Sequence, residues 1–119
     1  MNLMTMGCHS MNESQLVYSI MQELGRHGAV YRCNSGSIRL PNGKRFSAMP
    51  QGFADVMLIK TNGQTCFVEV KLPGNKPTEA QLRFLQKMRD HHCRADVAYS
   101  VEQALQICGI GASGEEAVS

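Results

Sequence analysis

The sequence lacks the long apolar runs and targeting patterns of membrane and secreted proteins. No stretch approaches a run of about 20 apolar residues, the length that a membrane-spanning helix needs. The first residues, MNLMTMGCHSM, are rich in methionine but show no basic segment followed by an apolar core. We therefore expect neither a secretory signal nor a membrane partner.

The five cysteines lack the pairing that a disulfide framework or a structural zinc site requires. Their number is odd, they stand far apart, and no two of them form a C-x-x-C pair. The run HHC at 91–93 has no second pair of ligands at a suitable spacing, and a solvated helix end explains it more simply. The pattern favours a reducing compartment, so we expect a cytoplasmic protein.

A strong excess of one charge is also missing. The 119 residues carry a formal net charge of +2 and are 43% hydrophobic, which is typical of one globular domain. We expect this domain to span 12–108, between flexible segments at 1–11 and 109–119. The acidic residues Glu115 and Glu116 fall in the last segment, so the folded part is more basic and compatible with a polyanionic partner.

Residue periodicity predicts an α/β domain with the order α-β-β-β-β-α-β-α. Asn12 and Gln15 have the spacing of a capping box before a helix that ends at Gly25 or Gly28. Strands are predicted at AVYRC, SIRL, ADVMLIK, TCFVEVK and ADVAYS. Helices beginning near Thr78 and after Ser100 complete the order, the second with a capping box to Gln103.

The segment CFVEVK (66–71) places a carboxylate and an ammonium on one face of a predicted strand. Glu69 and Lys71 are two positions apart, so strand geometry puts them on the same side. Taken alone, they are most simply explained as a surface ion pair. A hairpin at TNGQ (61–64) also brings Asp55 to this end of the sheet, and two neighbouring carboxylates favour a hard divalent cation such as Mg²⁺.

The register of this hairpin provides a test of the cation site. A two-residue turn at Asn62 and Gly63 would set Asp55 opposite Val70, and Asp55 would then point away from Glu69. A shared site therefore requires an odd loop or a β-bulge. We predict such an irregularity.

Asp55, thirteen intervening residues and the triplet Glu69-Val70-Lys71 together resemble the core of the PD-(D/E)XK nucleases. The segments NSG (34–36), GFAD (52–55), VEVK (68–71) and TEAQLRFLQKM (78–88) resemble its VRR-NUC (virus-type replication-repair nuclease) branch, over roughly 12–108. One departure is Ala54, where the family usually has proline, and it removes no metal ligand. The resemblance implies a restriction-endonuclease-like fold with a mixed central β-sheet flanked by helices.

The resemblance also implies a metal site that holds Mg²⁺ or Mn²⁺. Asp55 and Glu69 would bind the ion with the carbonyl of Val70. Lys71 would position or deprotonate the attacking water and offset charge on the phosphate.

Two helical residues match further members of the family's site. Glu13 matches an acid of the first helix that completes the metal site or holds a metal-bound water. A favourable interaction with the helix N-terminus explains Glu13 equally well. Gln81 matches a glutamine expected to touch a water or the scissile phosphate.

A phosphate-binding role is expected for the segment before the second strand. Asn34, Ser35 and Gly36 would present donors to a phosphate beside the metal, and Arg32 or Arg39 would add positive charge. A tight turn is the alternative role for Ser35 and Gly36.

The expected activity is metal-dependent, structure-selective cutting of branched DNA. Stand-alone, phage-type members of this branch suggest a homodimeric Holliday junction resolvase active in DNA repair, in the bacterial cytoplasm if phage-encoded. A flap or nicking nuclease, a catalytically silent DNA-binding module of the same fold, and a small scaffold without a DNA role remain as alternatives.

Overall fold

The computed structural model describes residues 11–33, 37–47 and 49–111, which form an α/β domain. The helices in these ranges are α1 (Glu13–Leu24), α2 (Glu79–Asp90) and α3 (Val101–Ile107). The strands are β1 (Gly28–Arg32), β2 (Ser37–Arg39), β3 (Arg45–Ser47), β4 (Val56–Lys60), β5 (Thr65–Val70) and β6 (Arg94–Ala98). None of these helices is long and apolar enough to cross a membrane.

Four of the strands form a mixed central sheet in the order β1-β4-β5-β6. β4 pairs antiparallel with both β1 and β5, whereas β5 and β6 are parallel. A parallel pair needs a crossover connection, and α2 provides it. The predicted α/β fold with a mixed central sheet flanked by helices is confirmed.

The predicted element order is one strand short, because β3 is not among the predicted strands. β3 pairs antiparallel with β2 in a separate two-stranded sheet. The predicted turn at PNG (41–43) does form, and the N–H of Gly43 donates to the carbonyl of Leu40 at 2.9 Å. Three residues are too few for an alternating pattern to indicate a strand, so the pairing with β2 is what defines β3.

The first face of the central sheet packs against α1 and α3. Val56 and Leu58 of β4 and Val68 of β5 are fully buried there, against Ile20 and Leu24 of α1. These side chains recur at helical spacing in α1 and at every second position in the strands. Neighbouring positions of β4 and β5 are apolar too, so strand parity sets which side chains share this face and packing against α1 and α3 covers it.

The second face of the sheet packs against α2. Phe67 of β5 lies there with Leu85 of α2, and the rings of Phe53, Phe67 and Phe84 contact one another at centroid distances of 4.4–5.9 Å. β5 consequently has buried side chains on both faces. Glu69 has the same strand parity as Phe67, so it also points to this second face.

Side-chain caps begin the helices largely as predicted. The Asn12 carboxamide accepts from the N–H of Gln15 at 2.8 Å, and Gln15 accepts from the N–H of Asn12 at 2.9 Å. At α3 the predicted capping box is only half formed. Ser100 accepts from the N–H of Gln103, but the Gln103 side chain accepts from the N–H of Tyr99 at 2.7 Å instead.

The packed core continues past residue 108, where the domain was expected to end. Ile110 is only 2% exposed and belongs to the larger core. Two long cationic side chains bind the carbonyls at the end of α3. Lys60 Nζ donates to the carbonyl of Cys108 at 2.7 Å, and Arg94 Nε donates to the carbonyl of Ile107 at 2.7 Å.

Candidate active site

The loop between β4 and β5 has the odd length that a shared carboxylate site requires. The strands pair Val56 with Val68, and the N–H of Lys60 donates to the carbonyl of Gln64 at 2.9 Å. Three residues, 61–63, therefore form the loop. Gly63 has a φ of 90°, the left-handed conformation with which a glycine closes such loops.

This register brings the two predicted metal ligands together. Continued by one residue, it sets Asp55 opposite Glu69 rather than Val70, and opposed residues share a face. The two carboxyl groups are close enough to interact, since the charge of Asp55 raises the pKa of Glu69. Asp55 Oδ2 also accepts from the N–H of Val70 at 2.9 Å, which holds the aspartate against the end of β5. The predicted irregularity in the hairpin is confirmed.

Glu69 is buried in a way that disfavours its negative charge. The residue is 2% exposed, and its Oε1 atom is buried without a hydrogen-bond partner. Removal from water is the main cause that raises the pKa of Glu69 to about 8, and the charge of Asp55 is the second. The Lys71 ammonium opposes both effects. A carboxyl group in this position needs either a proton or a bound cation near neutral pH.

Lys71 lies beside Glu69, as the strand periodicity predicts. Its Nζ atom is 3.8 Å from Glu69 Oε2, and its side chain is 16% exposed. The N–H of Lys71 donates to the carbonyl of Ala98 at 3.1 Å, so the pairing with β6 continues through this residue. Because Glu69 is almost fully buried, the surface ion pair that the two residues alone suggested is wrong.

Glu13 and Gln81 occupy the first turns of α1 and α2. Glu13 is exposed, and its negative charge makes a small contribution to the raised pKa of Glu69. Gln81 is half-buried, and its Oε1 atom accepts from the N–H of Thr78 at 2.8 Å in a capping box. The oxygen of Gln81 therefore caps the start of α2, and the amide nitrogen is the other polar group of this side chain.

Two residues not predicted for the site help to form it. The N–H of Cys33 donates to the carbonyl of Asp55 at 2.8 Å, and burial, followed by the Asp55 charge, raises the pKa of the Cys33 thiol. Gly52 has a φ of 88°, and a Cβ there would lie 2.5 Å from the carbonyl oxygen of Ala80. This close approach sets the segment before Asp55 against the first turn of α2. In the sequence, a glycine three residues before Asp55 was the one indication of such a close approach.

The predicted phosphate-binding residues fall in two groups. Arg32 at the end of β1 and Arg39 in β2 are exposed. Asn34, Ser35 and Gly36 lie outside the described residues.

The donors at this site fit a hard divalent cation. Asp55 and Glu69 provide two neighbouring carboxylates, and Glu69 Oε1, which accepts no hydrogen bond, is available as a ligand. Within 11–33, 37–47 and 49–111, no three His, Cys, Asp or Glu side chains form a cluster that would hold a metal. Mg²⁺ commonly takes one or two carboxylates with water and substrate phosphates, so two protein carboxylates are sufficient.

A mixed sheet that sets an aspartate against the glutamate and lysine of an E-x-K triplet has the arrangement of the PD-(D/E)XK nucleases. The sequence profile of the VRR-NUC domain matches residues 8–102, and the chain belongs to this family. The predicted family is therefore confirmed.

A solved structure of similar fold supports this architecture. One described as a VRR_NUC domain superposes with a TM-score of 0.60 at 23% identity, covering 82% of this chain and 95% of that chain. Another is the small subunit (R.BspD6I2) of the heterodimeric restriction endonuclease R.BspD6I, with a TM-score of 0.43, 13% identity, and coverage of 89% and 59%. The comparison with curated proteins gives no match.

Proposed function

We propose that this protein is a Mg²⁺- or Mn²⁺-dependent endonuclease that hydrolyses phosphodiester bonds in branched DNA. The observation that carries the proposal is the meeting of Asp55 with the buried Glu69, whose Oε1 atom has no partner. A catalytically silent binding module has no need for a buried carboxylate of this kind, because burying its charge lowers stability. A divalent cation between the carboxylates removes that cost.

The residues of the site then have distinct roles. A bound cation polarises the scissile phosphate and lowers the pKa of water. Asp55 and Glu69 would hold the cation with the carbonyl of Val70. Lys71 orients the attacking water and offsets the negative charge that develops on the phosphate. The water oxygen bonds to phosphorus and gives up a proton to solvent, the bond from phosphorus to the 3′ oxygen breaks, and that oxygen takes a proton from solvent. The products are a 5′-phosphate and a 3′-hydroxyl.

The residues around the carboxylates complete the contacts with substrate. Glu13 holds a water at the edge of the site, and the Gln81 amide nitrogen faces the scissile phosphate. Arg32 and Arg39 bind backbone phosphates, together with the donors of the NSG segment (34–36). Such contacts read the shape and charge of the backbone rather than base edges, which suits structure-selective cutting.

A four-way junction is the branched substrate that we propose, with a homodimer as the active form. Resolving such a junction takes two cuts in strands related by symmetry. A homodimer supplies one site for each cut, because each chain contributes one set of Asp55, Glu69 and Lys71.

The test is cleavage of a synthetic four-way junction in Mg²⁺, in Mn²⁺ and in EDTA. We expect cutting only with a metal, and a loss of about 10²-fold or more for Glu69→Ala and Lys71→Ala. Binding of the junction should survive in both variants. Lys76→Ala is the matched control, because Lys76 is an exposed lysine in the loop after β5.

Each other outcome has a definite meaning. Cleavage by Lys71→Ala at the wild-type rate would refute the mechanism. Binding without cleavage in any metal would show a silent module. Preferred cutting of forked or nicked duplexes by a monomer would indicate a flap or nicking nuclease.

A further inference from the structure

The charged Arg, Lys, Asp and Glu side chains between α1 and β4 are all positive except Asp55, which directly precedes β4. From residue 24 to residue 54 it has five arginines and lysines and no aspartate or glutamate. Among the cations, Arg39, Lys44 and Arg45 lie on the hairpin formed by β2 and β3, and all three are exposed. This hairpin is therefore a basic element with no acid of its own.

The chain segment that contains the hairpin starts and finishes beside the candidate active site. The chain leaves β1 at Cys33, whose N–H donates to the carbonyl of Asp55, and it returns to β4 at Asp55 itself. Only residues 34–36 separate Cys33 from the start of β2, so the four Cα-to-Cα steps from Cys33 to Ser37 span at most about 14 Å when fully extended. The hairpin consequently belongs to the edge of the molecule that carries the carboxylates.

The two faces of the hairpin differ in chemistry. Ile38 pairs with Phe46, and these side chains are 61% and 53% exposed. Arg39 pairs with Arg45 in the next position, so the two arginines share the opposite face. Two arginines side by side on one exposed face form a positive surface that attracts an anion.

We propose that this hairpin recognises the branch point of the DNA substrate, an inference that rests on the function proposed above. The arginine face contacts backbone phosphates, and the Ile38–Phe46 pair contacts bases that are unstacked at the branch. In an intact duplex the base faces cover one another, so the apolar pair has nothing to contact. At a branch, exposed base faces lie beside phosphates, which matches both faces of the hairpin.

A second copy of the chain fits this surface less well than DNA. A stable protein interface buries about 800 Å² on each partner, whereas one aromatic side chain buries only about 150–250 Å². The neighbouring arginines would also face like charges in a symmetric pairing. The positive charge of the hairpin therefore favours DNA, a polyanion, over a second copy of the chain as its partner.

The test compares binding of a four-way junction with binding of an intact duplex of the same sequence, both in EDTA by fluorescence anisotropy. We expect the double variant I38S/F46S to reduce the junction-over-duplex preference by about tenfold or more, because stacking on aromatic side chains is lost. Its affinity for the duplex should not change. Tyr18→Ser is the matched control, since Tyr18 is a 63% exposed aromatic on α1.

The cationic face is tested by R39Q/R45Q, which removes both arginines of the pair. This variant should weaken binding of both DNAs alike and lower the slope of log affinity against log salt by about two, one for each lost phosphate contact. Thermal unfolding of each variant checks that the fold is retained.

An unchanged junction preference in I38S/F46S would overturn the inference, and the proposed function would stand if that variant still cuts junctions. Conversion of a dimer to a monomer by I38S/F46S would also overturn it, because the hairpin would then be a contact between copies. Wild-type protein that neither binds nor cuts branched DNA refutes the proposed function itself.

Discussion

Replacing Glu69 with glutamine should stabilise the metal-free protein at neutral pH. Burial, with the charge of Asp55, raises the pKa of Glu69 from 4.5 to about 8. The unfolded chain therefore releases this proton above pH 4.5, while the folded chain keeps it up to about pH 8. Stability that is present below pH 4.5 is lost as the pH rises through this window.

The size of the effect follows from the two pKa values. Each pKa unit corresponds to about 1.4 kcal/mol, so protonating Glu69 on folding at about pH 7 costs about 3 kcal/mol. The full difference, reached above about pH 8, is about 5 kcal/mol. Glutamine has no proton to release, so Glu69→Gln should gain about these amounts over wild type and gain almost nothing at acid pH.

Urea unfolding in EDTA across this pH range measures the gain. Glu79→Gln is the control, because the Glu79 side chain is 92% exposed and its loss should give no pH-dependent gain. Adding Mg²⁺ should stabilise wild type but not Glu69→Gln, since binding to the folded state alone raises its stability. A difference between Glu69→Gln and wild type that is the same at every pH would show that Glu69 is not held as a protonated, buried group.

Two further substitutions test how the surrounding chain supports the site. Gly52→Ala should lower the free energy of unfolding, measured in urea, by about 1–3 kcal/mol more than Gly74→Ala does. Both glycines have a positive φ, but of the two only Gly52 is closely approached by backbone atoms. Equal losses in the two variants would contradict this account. Lys60→Met should lower the free energy of unfolding by about 1–3 kcal/mol, because the Cys108 carbonyl loses the Lys60 ammonium as its donor. The control Lys76→Met replaces an exposed lysine and should stay within about 0.5 kcal/mol of wild type in thermal unfolding.

Local patterns were sufficient to predict most of the elements. The capping box of Asn12 and Gln15, and the apolar runs of β4 and β5, involve residues close together in the chain. The odd loop before β5 was predicted from a different kind of reasoning. It followed from requiring Asp55 and Glu69 to share a face, and the structure meets that requirement.

The strand β3 and the true cap of α3 escaped prediction for one physical reason. Ile38 and Phe46 become a pair only when two three-residue strands align, and neither segment is long enough to show a period. The Gln103 side chain could accept from the N–H of Ser100 or from that of Tyr99, and in the folded protein it accepts from Tyr99. Such choices depend on the packed structure.

The sequence by itself determined which chemical groups the protein has and their order along strands and helices. It placed Glu69 and Lys71 on one side of a strand, because strand geometry alternates side chains whatever the surroundings. Only the tertiary structure decided that this side is covered, that Asp55 faces it, and that one glutamate oxygen has no partner. Burial and electrostatic interaction depend on distance from water and from other charges, and the fold sets those distances by bringing together segments that are far apart in the chain.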